Sequence, residues 1–232
     1  MEDLYPSRGN KEQILERFCP CVYSNESYGE YSLSEEQLKG YEQNGFIAIP
    51  NVFSQEEVKQ MQEELERLKY DEDLRQKEEF ITEPSSEELR TVFNQHLFSK
   101  VYEKVSKDER ILDKVRQLLG GDVYIHHSRI NIKPAYKGKS FPWHSDFETW
   151  HCEDGLPKCR CLTAWVVLTD NTEYNGPLYV IPGSHKKYVS CEGYTPEDNY
   201  KMSLKKQEYG VPSKDAVKHL TKDSEVKGVY GK

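Results

Sequence analysis

A histidine and an aspartate lie one residue apart in the stretch FPWHSDFETWH, residues 141–151. In a β-strand, side chains two residues apart point to the same face, so a strand here would project His144 and Asp146 together. An imidazole and a carboxylate can bind one metal ion, and two histidines with one carboxylate form the ligand set of non-haem Fe(II) oxygenases. A surface hydrogen bond between the two side chains is the ordinary alternative, because this spacing is common. The pair therefore indicates a metal site only together with its surroundings.

Aromatic residues surround the histidine and the aspartate. Phe141, Trp143, Phe147 and Trp150 could form the apolar walls of a small-molecule pocket in which a few polar groups converge. The same rings could instead belong to a hydrophobic core, which is the usual place of such side chains. Only if a metal lies beside these rings does a role in stacking or cation binding become a good interpretation of them. The surroundings favour a pocket and leave the core alternative open.

The charge and composition of the chain exclude several classes of protein. The 232 residues carry 40 acidic and 32 basic side chains, which gives a net charge of -8. The two signs are interspersed, so nucleic acid is not an expected partner. No apolar run reaches the roughly 18 residues that span a bilayer, and the N-terminus lacks the apolar centre of a secretory signal. We therefore expect a cytoplasmic protein with no membrane partner.

Six cysteines raise the question of disulfides or a zinc site. They are Cys19, Cys21, Cys152, Cys159, Cys161 and Cys191. Without an export signal, disulfides are not expected, because the cytosol keeps thiols reduced. Cys152, Cys159 and Cys161 could in principle hold zinc, yet they lack the paired C-x-x-C spacing of common zinc sites. We therefore predict reduced thiols.

The elements that must position these residues begin with helices. Capping-box patterns occur at Ser34 with Gln37 and at Ser54 with Glu57. In a capping box, a serine and a polar side chain three residues later satisfy the free backbone groups at the start of a helix. An apolar stripe at helical spacing follows the second box, and a further amphipathic helix ends at two glycines. These positions are Val58, Met61, Leu65 and Leu68, and then Ile111, Leu112, Val115 and Leu118 before Gly120 and Gly121. Residues 46–50 are predicted as a short strand and residues 72–90 as a loop or irregular helix.

After residue 121 the pattern changes to short β-branched and aromatic runs that turns separate. The runs cover residues 123–134, 141–151, 161–169 and 177–182. Helices followed by short strands predict a β-sandwich or barrel with helices packed outside. The polar segment that begins at Gly183 is expected to be a long surface loop, and loops of this length are often lids.

Several segments resemble one enzyme family. WHSDFETWHCEDGLP at residues 143–157, SRINIKP before it and LTDNTEYNGPLYVIPGSHK after it are similar to the ectoine hydroxylases, a branch of the phytanoyl-CoA dioxygenase-like Fe(II)- and 2-oxoglutarate-dependent oxygenases. SLKKQEYGVP at residues 203–212 and the opening MEDLYPSR also resemble that branch. WHSDFETWH with EDG-x-P is specific to the branch, whereas NGPL and PGSH belong to the wider superfamily. The resemblance is strongest over residues 120–212.

The resemblance implies a mainly β fold with flanking helices, built on a double-stranded β-helix, also called a jelly roll, of the cupin type. It implies that His144 and Asp146 are two of three iron ligands. It also implies a reaction in which Fe(II), 2-oxoglutarate and O2 convert the compatible solute ectoine, an osmotic-stress protectant, to 5-hydroxyectoine, with release of succinate and carbon dioxide. The other implied site residues are Asn131, Phe141 and Thr163 beside 2-oxoglutarate, and His127, Thr149 and Trp150 at the substrate. A homodimer is compatible with the resemblance.

On this basis we expect one dioxygenase-like domain over residues 1–232. It would consist of an N-terminal arm on the surface (1–32), a helical region (33–121), the jelly-roll strands with the iron motif (122–182), and a loop or lid with a short helix (183–232). The jelly roll is expected to be incomplete at its C-terminal end, since the family's third iron ligand is a histidine on a later strand. The family arginine that pairs with 2-oxoglutarate follows that histidine.

Two features differ from the family pattern. His127 stands where the family usually has a glutamine that contacts the substrate, and an imidazole cannot donate and accept along one edge as a primary amide does. The third ligand is the other difference: only His151, His185 and His219 follow Asp146. Each has another interpretation, which is core packing, a turn and a short helix, respectively. A related hydroxylase of another small zwitterionic substrate, or a non-catalytic jelly-roll fragment that binds a solute or metal, therefore stays open.

Overall fold

The computed structural model of the chain describes residues 4–83, 88–133, 140–199 and 207–230. Its helices are α1 (Glu35–Asn44), α2 (Gln55–Tyr70), α3 (Glu72–Arg75), α4 (Gln95–Phe98), α5 (Lys100–Ser106), α6 (Glu109–Leu119), α7 (Asp146–Asp154) and α8 (Lys214–Leu220), with a 3-10 turn at Ser184–Lys186. Its strands are β1 (Gln13–Glu16), β2 (Phe80–Thr82), β3 (Leu89–Phe93), β4 (Arg129–Asn131), β5 (Leu178–Val180), β6 (Lys187–Ser190) and β7 (Lys227–Val229). Within these ranges, every helix is too short or too polar to pass through a lipid bilayer.

Both predicted capping boxes are confirmed. Ser34 Oγ accepts a hydrogen bond from the backbone N–H of Gln37 at 3.3 Å, and the side chain of Gln37 accepts one from the Ser34 N–H at 2.9 Å. Ser54 and Glu57 repeat the arrangement at 3.2 and 2.7 Å where α2 begins. The boxes satisfy backbone groups that the first turn of a helix leaves without partners. The predicted end of α6 is also confirmed, because Gly120 adopts the left-handed conformation there.

The predicted apolar stripe of α2 packs into a hydrophobic core with a three-stranded sheet. Met61 and Leu68 of α2 are 2% and 0% exposed. The hydroxyl of Tyr102, on α5, donates to the backbone carbonyl of Met61 at 2.7 Å, so a polar tip is satisfied inside this core. The buried members are Met61, Leu68, Phe80, Leu89, Val92, Tyr102 and Ile130.

The described strands form small antiparallel sheets. One has the order β2-β3-β4, another pairs β1 with β6, and another pairs β5 with β7. The last two pairings join distant parts of the chain, since Gln13 faces Ser190 and Leu178 faces Val229. In the three-stranded sheet, Asn131 is the last residue of β4 and faces Thr91 of β3.

The N-terminal segment differs from the expected surface arm. Tyr5 is 0% exposed, and its ring lies 5.0 Å from that of Phe147 and 4.9 Å from that of Tyr188. The Tyr5 hydroxyl accepts a hydrogen bond from the N–H of Cys19 at 3.1 Å. The segment carries no sustained hydrophobic period, and an isolated aromatic residue finds its partners only when the whole chain is folded. Tyr5 is therefore part of the core around α7, while most of residues 4–32 are exposed or half-buried.

The prediction of a strand over residues 141–151 is wrong, because α7 begins at Asp146. Ser145 is the N-cap of this helix, and its Oγ accepts a hydrogen bond from the N–H of Glu148 at 3.4 Å. Gly155 ends the helix in the left-handed conformation, with φ 73°. The letters S-D-F-E have the spacing of a capping box, and this local start signal outweighs the aromatic content that favoured a strand.

The other strand predictions have mixed outcomes. The run at 177–182 contains β5, and the run at 123–134 contains only β4. Residues 161–169 and 46–50 form no strand. Residues 72–90, predicted to be a loop or irregular helix, contain α3, β2 and the start of β3. A short apolar run indicates burial, whereas backbone pairing also needs a partner strand from elsewhere in the chain.

The segment after Gly183 is not a surface loop throughout. Strand β6 pairs with β1, and its residues Tyr188, Val189 and Ser190 are buried. The start of the expected lid is therefore fixed in the core. Residues 200–206 of that lid, with the first part of SLKKQEYGVP, lie outside the described residues.

Candidate metal centre

His144 and Asp146 lie on either side of the N-cap of α7. The Nδ1 atom of His144 lies 2.8 Å from the carbonyl oxygen of Pro142. A carbonyl oxygen can only accept, so Nδ1 carries the proton and Nε2 is the atom available to a metal. His144 Nε2 lies 3.4 Å from Asp146 Oδ1. The turn into a helix, and not the alternation of a strand, brings the two side chains together.

A neighbouring hydroxyl holds the second oxygen of Asp146. Thr163 Oγ1 donates a hydrogen bond to Asp146 Oδ2 at 2.9 Å. Burial by itself raises the pKa of Asp146, but the hydrogen bond and charge of His144, helped by Arg129 and Thr163, lower this pKa to about 2. Burial likewise lowers the pKa of His144, yet its hydrogen bonds to Asp146 and to the Pro142 carbonyl raise it above the ordinary value. The carboxylate is therefore ionised and oriented, as a metal ligand must be.

The geometry of the pair fits two neighbouring positions around one metal ion. Bonds of about 2.0–2.1 Å at ordinary coordination angles place two ligand atoms about 3 Å apart. The observed separation of 3.4 Å is close to this value, and the side chains are 24% and 33% exposed, so an ion can enter. An imidazole and a carboxylate suit Fe(II). Among the described residues, no third histidine, cysteine or carboxylate reaches the pair at ligand distance.

Trp150 lies on α7 against two stacked imidazoles. The rings of His126 and His127 lie 5.1 and 5.8 Å from the indole ring and 4.7 Å from each other. Their Nε2 atoms lie 3.0 and 3.5 Å from Oδ2 of Asp154, at the other end of the helix. Burial, and then the charge of His126, lower the pKa of His127. The structure therefore brings the predicted residues His127 and Trp150 together.

The remaining predicted site residues have separate surroundings. Asn131 Oδ1 accepts a hydrogen bond from Thr91 Oγ1 at 3.3 Å. The ring of Phe141 is half exposed and lies 5.8 Å from the guanidinium of Arg90. The hydroxyl of Thr149 faces Gly210 and has no hydrogen-bond partner within the described ranges.

The three later histidines have the structural roles that the sequence offered as alternatives to metal binding. His151 is buried, and its ring nitrogens lie 2.8 Å from the carbonyl oxygens of Leu156 and Tyr5. His185 lies in the turn after Gly183, with Nε2 3.0 Å from the carbonyl oxygen of Glu42. His219 is exposed on α8. Where the chain is described, none of them joins His144 and Asp146 at ligand distance.

A buried ion-pair network fixes α7 from its other side. Arg8 Nε and Nη2 donate to the two oxygens of Glu148, each at 2.8 Å. Arg8 Nη1 donates to Glu153 at 2.7 Å and to Thr195 Oγ1 at 2.8 Å. Arg8 and Glu148 are 7% and 0% exposed. Because Glu148 lies two residues after Asp146, this two-pronged pairing helps to set the orientation of the helix start.

Gly210 approaches the Arg8–Glu148 pair so closely that a side chain is excluded. Its φ is 70°, and a Cβ there would lie 2.5 Å from Glu148 Oε2 and 2.6 Å from Arg8 Nη2. We expect Gly210→Ala to lower the free energy of unfolding by about 2–5 kcal/mol, because the left-handed backbone cost adds to a clash with fixed, buried atoms. Urea unfolding measures this loss.

Gly155→Ala is the matched control for this prediction. Gly155 has a φ of 73°, and nothing lies within 4 Å of the position of its Cβ. The control variant should therefore show only the left-handed cost, about 1–2 kcal/mol. Equal losses in the two variants would contradict the close approach.

Four residues at this site were missed in the sequence: His126, Asp154, Arg8 and Glu148. The pair His126 and His127 is visible as a doublet, and Glu148 is the fourth letter of the overlooked S-D-F-E capping pattern. Nothing local indicates that Arg8 would reach Glu148, 140 residues away.

Comparison with known proteins shows the family to which the chain belongs. Residues 41–225 match the family model of phytanoyl-CoA dioxygenase. The chain belongs to the phytanoyl-CoA dioxygenase family. It is 45% identical over 232 residues to the ectoine dioxygenase of Bordetella parapertussis, and the match covers 100% of this chain and 75% of that protein. It is also 45% identical over 222 residues to the ectoine dioxygenase of Halomonas elongata, covering 94% of this chain and 66% of that protein.

Solved structures of a similar enzyme share the fold. EctD from S. alaskensis, in a crystal structure with 2-oxoglutarate and 5-hydroxyectoine, matches with a TM-score of 0.85 at 36% identity. The match covers 100% of this chain and 76% of that chain. The crystal structure of the same protein with bound Fe matches equally well, at a TM-score of 0.85.

Proposed function

We propose that this protein is an Fe(II)- and 2-oxoglutarate-dependent oxygenase that hydroxylates ectoine to 5-hydroxyectoine. The observation that carries the proposal is the pair His144 Nε2 and Asp146 Oδ1, which lie 3.4 Å apart with their other polar atoms already engaged. Its support is the 45% identity to an ectoine dioxygenase. The finer architecture that we propose is a single domain with a jelly-roll core. A homodimer and a cytoplasmic location stay predictions.

His144 and Asp146 are the proposed protein ligands of the iron. When bound, Fe(II) supplies the oxidation of a substrate C–H bond by O2, coupled to decarboxylation of 2-oxoglutarate to succinate. The Pro142 carbonyl holds the imidazole by Nδ1, and Thr163 holds the carboxylate by Oδ2. Nε2 and Oδ1 are left to face the ion. The protein therefore orients two ligand atoms before the metal binds, which lowers the cost of forming the site.

Asn131, Phe141 and Thr163 are the proposed neighbours of 2-oxoglutarate. The Oδ1 atom of Asn131 already accepts a hydrogen bond from Thr91, so its amide N–H groups are the ones that can donate to a carboxylate. The half-exposed ring of Phe141 offers an apolar wall that excludes water. Thr163 would act chiefly through Asp146, whose oxygen it holds.

Trp150, His127 and Thr149 are the proposed substrate contacts. An indole face attracts cationic groups, which suits a small cyclic zwitterion such as ectoine. The ring of His127 lies 5.8 Å from the indole ring, and its imidazole can form one hydrogen bond with the substrate. The hydroxyl of Thr149 is buried and has no hydrogen-bond partner among the described residues. Buried polar atoms are usually hydrogen-bonded, so a polar group of the substrate is the proposed partner.

His127 is also the observation that favours a second candidate, hydroxylation of a different small zwitterion. The family pattern has a glutamine at this position, and an imidazole offers one hydrogen bond where an amide offers two. The same site without turnover would be a solute-binding or metal-binding module.

Mass spectrometry of ectoine incubated with the protein, Fe(II), 2-oxoglutarate, ascorbate and air tests the proposal. We expect a gain of one oxygen atom that is absent when 2-oxoglutarate is left out. Proline and similar zwitterions in parallel reactions distinguish the two hydroxylase candidates. Oxygen gain by another zwitterion and not by ectoine would overturn the substrate, and no gain with any of them would favour the binding module.

A further inference from the structure

His126, His127 and Asp154 form a cluster with the ligand types and spacing of a metal site. Their ligand atoms all lie within 4.8 Å of one another, and no other set of three such residues in the described chain does so. Both imidazoles present Nε2 to the same oxygen, Asp154 Oδ2, at 3.0 and 3.5 Å. Two imidazoles and one carboxylate bind Zn(II) in catalytic zinc sites and Fe(II) in non-haem oxygenases, so this ligand set suits either divalent ion, and Zn(II) is the simpler probe because it undergoes no redox change.

We propose that His126, His127 and Asp154 bind a divalent metal ion of the zinc class, at a site separate from His144 and Asp146. The geometry carries the proposal. Ligand atoms that share one ion at about 2.0–2.1 Å lie about 3 Å apart, and the observed contacts are near this value.

The rings are held in place before an ion arrives. His126 and His127 stack on each other with an angle of 29° between their planes, and both lie against Trp150. A rigid, preformed arrangement reduces the entropy lost on binding. The side chains of His126, His127 and Asp154 are 26%, 38% and 35% exposed, so water can reach the ion and complete its coordination.

The two metal sites cannot share one ion. Asp146 and Asp154 are the first and last residues of α7. At 1.5 Å per residue, their backbones lie about 12 Å apart along the helix axis, which is several times a metal–ligand bond. The cluster is therefore distinct from the proposed iron ligands, although the same helix carries both. It shares His127 with the proposed substrate contacts, so an ion bound here would compete with the substrate for that imidazole.

Calorimetric titration of the metal-free protein with Zn(II) alone tests this proposal. The wild-type protein is compared with Asp154→Asn and His127→Gln, which remove one ligand each while keeping similar size. We expect each of these variants to lose one class of zinc binding, namely the binding event that belongs to the His126, His127 and Asp154 site. The loss of affinity should exceed the roughly 10- to 100-fold typical of residues that only orient a ligand. Asp146→Asn should retain this class.

Controls keep the result interpretable. His219→Gln makes the same chemical change as His127→Gln on an exposed face of α8, and it should bind zinc as the wild-type protein does. Circular dichroism checks that the variants fold. Asp154→Asn and His127→Gln each test the zinc site independently, so the test still holds if one of them does not fold. Unchanged zinc binding in a folded Asp154→Asn or His127→Gln variant, or loss only in Asp146→Asn, would overturn the site. Since no substrate is present, failure of the proposed hydroxylation would not affect this outcome.

Discussion

Replacing either Asp146 or His144 with alanine is expected to abolish iron-dependent turnover. Each variant removes one of two atoms, Asp146 Oδ1 and His144 Nε2, that lie 3.4 Å apart and are the proposed ligands of one ion. With one ligand gone, the remaining group holds the ion weakly, and hydroxylation falls by more than the roughly 10- to 100-fold typical of residues that only orient a ligand. The measurement is product formation from ectoine with saturating 2-oxoglutarate.

Binding can be separated from turnover in the same variants. Fe(II) with 2-oxoglutarate gives a visible charge-transfer band when both are chelated, and anaerobic titration measures it without any reaction. We expect both alanine variants to lose the band. Thr163→Val should keep the band at higher iron concentration, with affinity reduced about 10- to 100-fold, because Thr163 orients Asp146 through a single hydrogen bond.

His219→Ala is the matched control for His144→Ala, because it removes an exposed imidazole from α8. It should leave the band and turnover unchanged. Full turnover in a folded His144→Ala or Asp146→Ala variant would mean that the metal is held elsewhere, and the proposed iron ligands would be wrong.

Breaking the buried pair of Arg8 and Glu148 should cause a far larger loss of stability than breaking an exposed ion pair. The side chains of Arg8 and Glu148 are 2% and 1% exposed, so Arg8→Met would leave a carboxylate buried without its main partner. Removing one member of a buried ion pair costs about 3–5 kcal/mol. For a protein of this size, that corresponds to a fall in the melting temperature of about 6–20 °C, which thermal unfolding followed by circular dichroism measures.

A double variant distinguishes the pair from general disruption. Replacing both groups with apolar residues, as in Arg8→Met with Glu148→Leu, removes the charge of Glu148 as well as its partner and should recover part of the loss, while Glu153 still lacks Arg8. The exposed pair Lys218 and Asp215, at 78% and 92% exposure, provides the control. Lys218→Met should change stability by less than about 1 kcal/mol. If Arg8→Met were as mild as this control, the pair would not anchor α7.

Local signals in the sequence were sufficient to predict α1, α2 and α6, but not the short helices α3, α4 and α5. The boxes at Ser34 and Ser54 and the stripe of α2 depend on residues three or four positions apart, and such short-range interactions form in the same way in many contexts. The strand predicted over residues 141–151 failed for a related reason. That prediction depended on the spacing of His144 and Asp146 and on the aromatic residues, whereas the S-D-F-E capping pattern, which is equally local, indicates the start of a helix.

The sequence by itself also determined the chemistry of the site, since the H-x-D motif, its aromatic neighbours and the family resemblance together indicated iron. Only the tertiary structure decided how those groups are held and what lies around them. Arg8 reaches Glu148 across 140 residues, and Asp154 meets His126 across 28. Such contacts depend on the path of the whole chain, and no short-range pattern encodes that path. Residue types therefore set which reactions are available, whereas folding set which residues could act together.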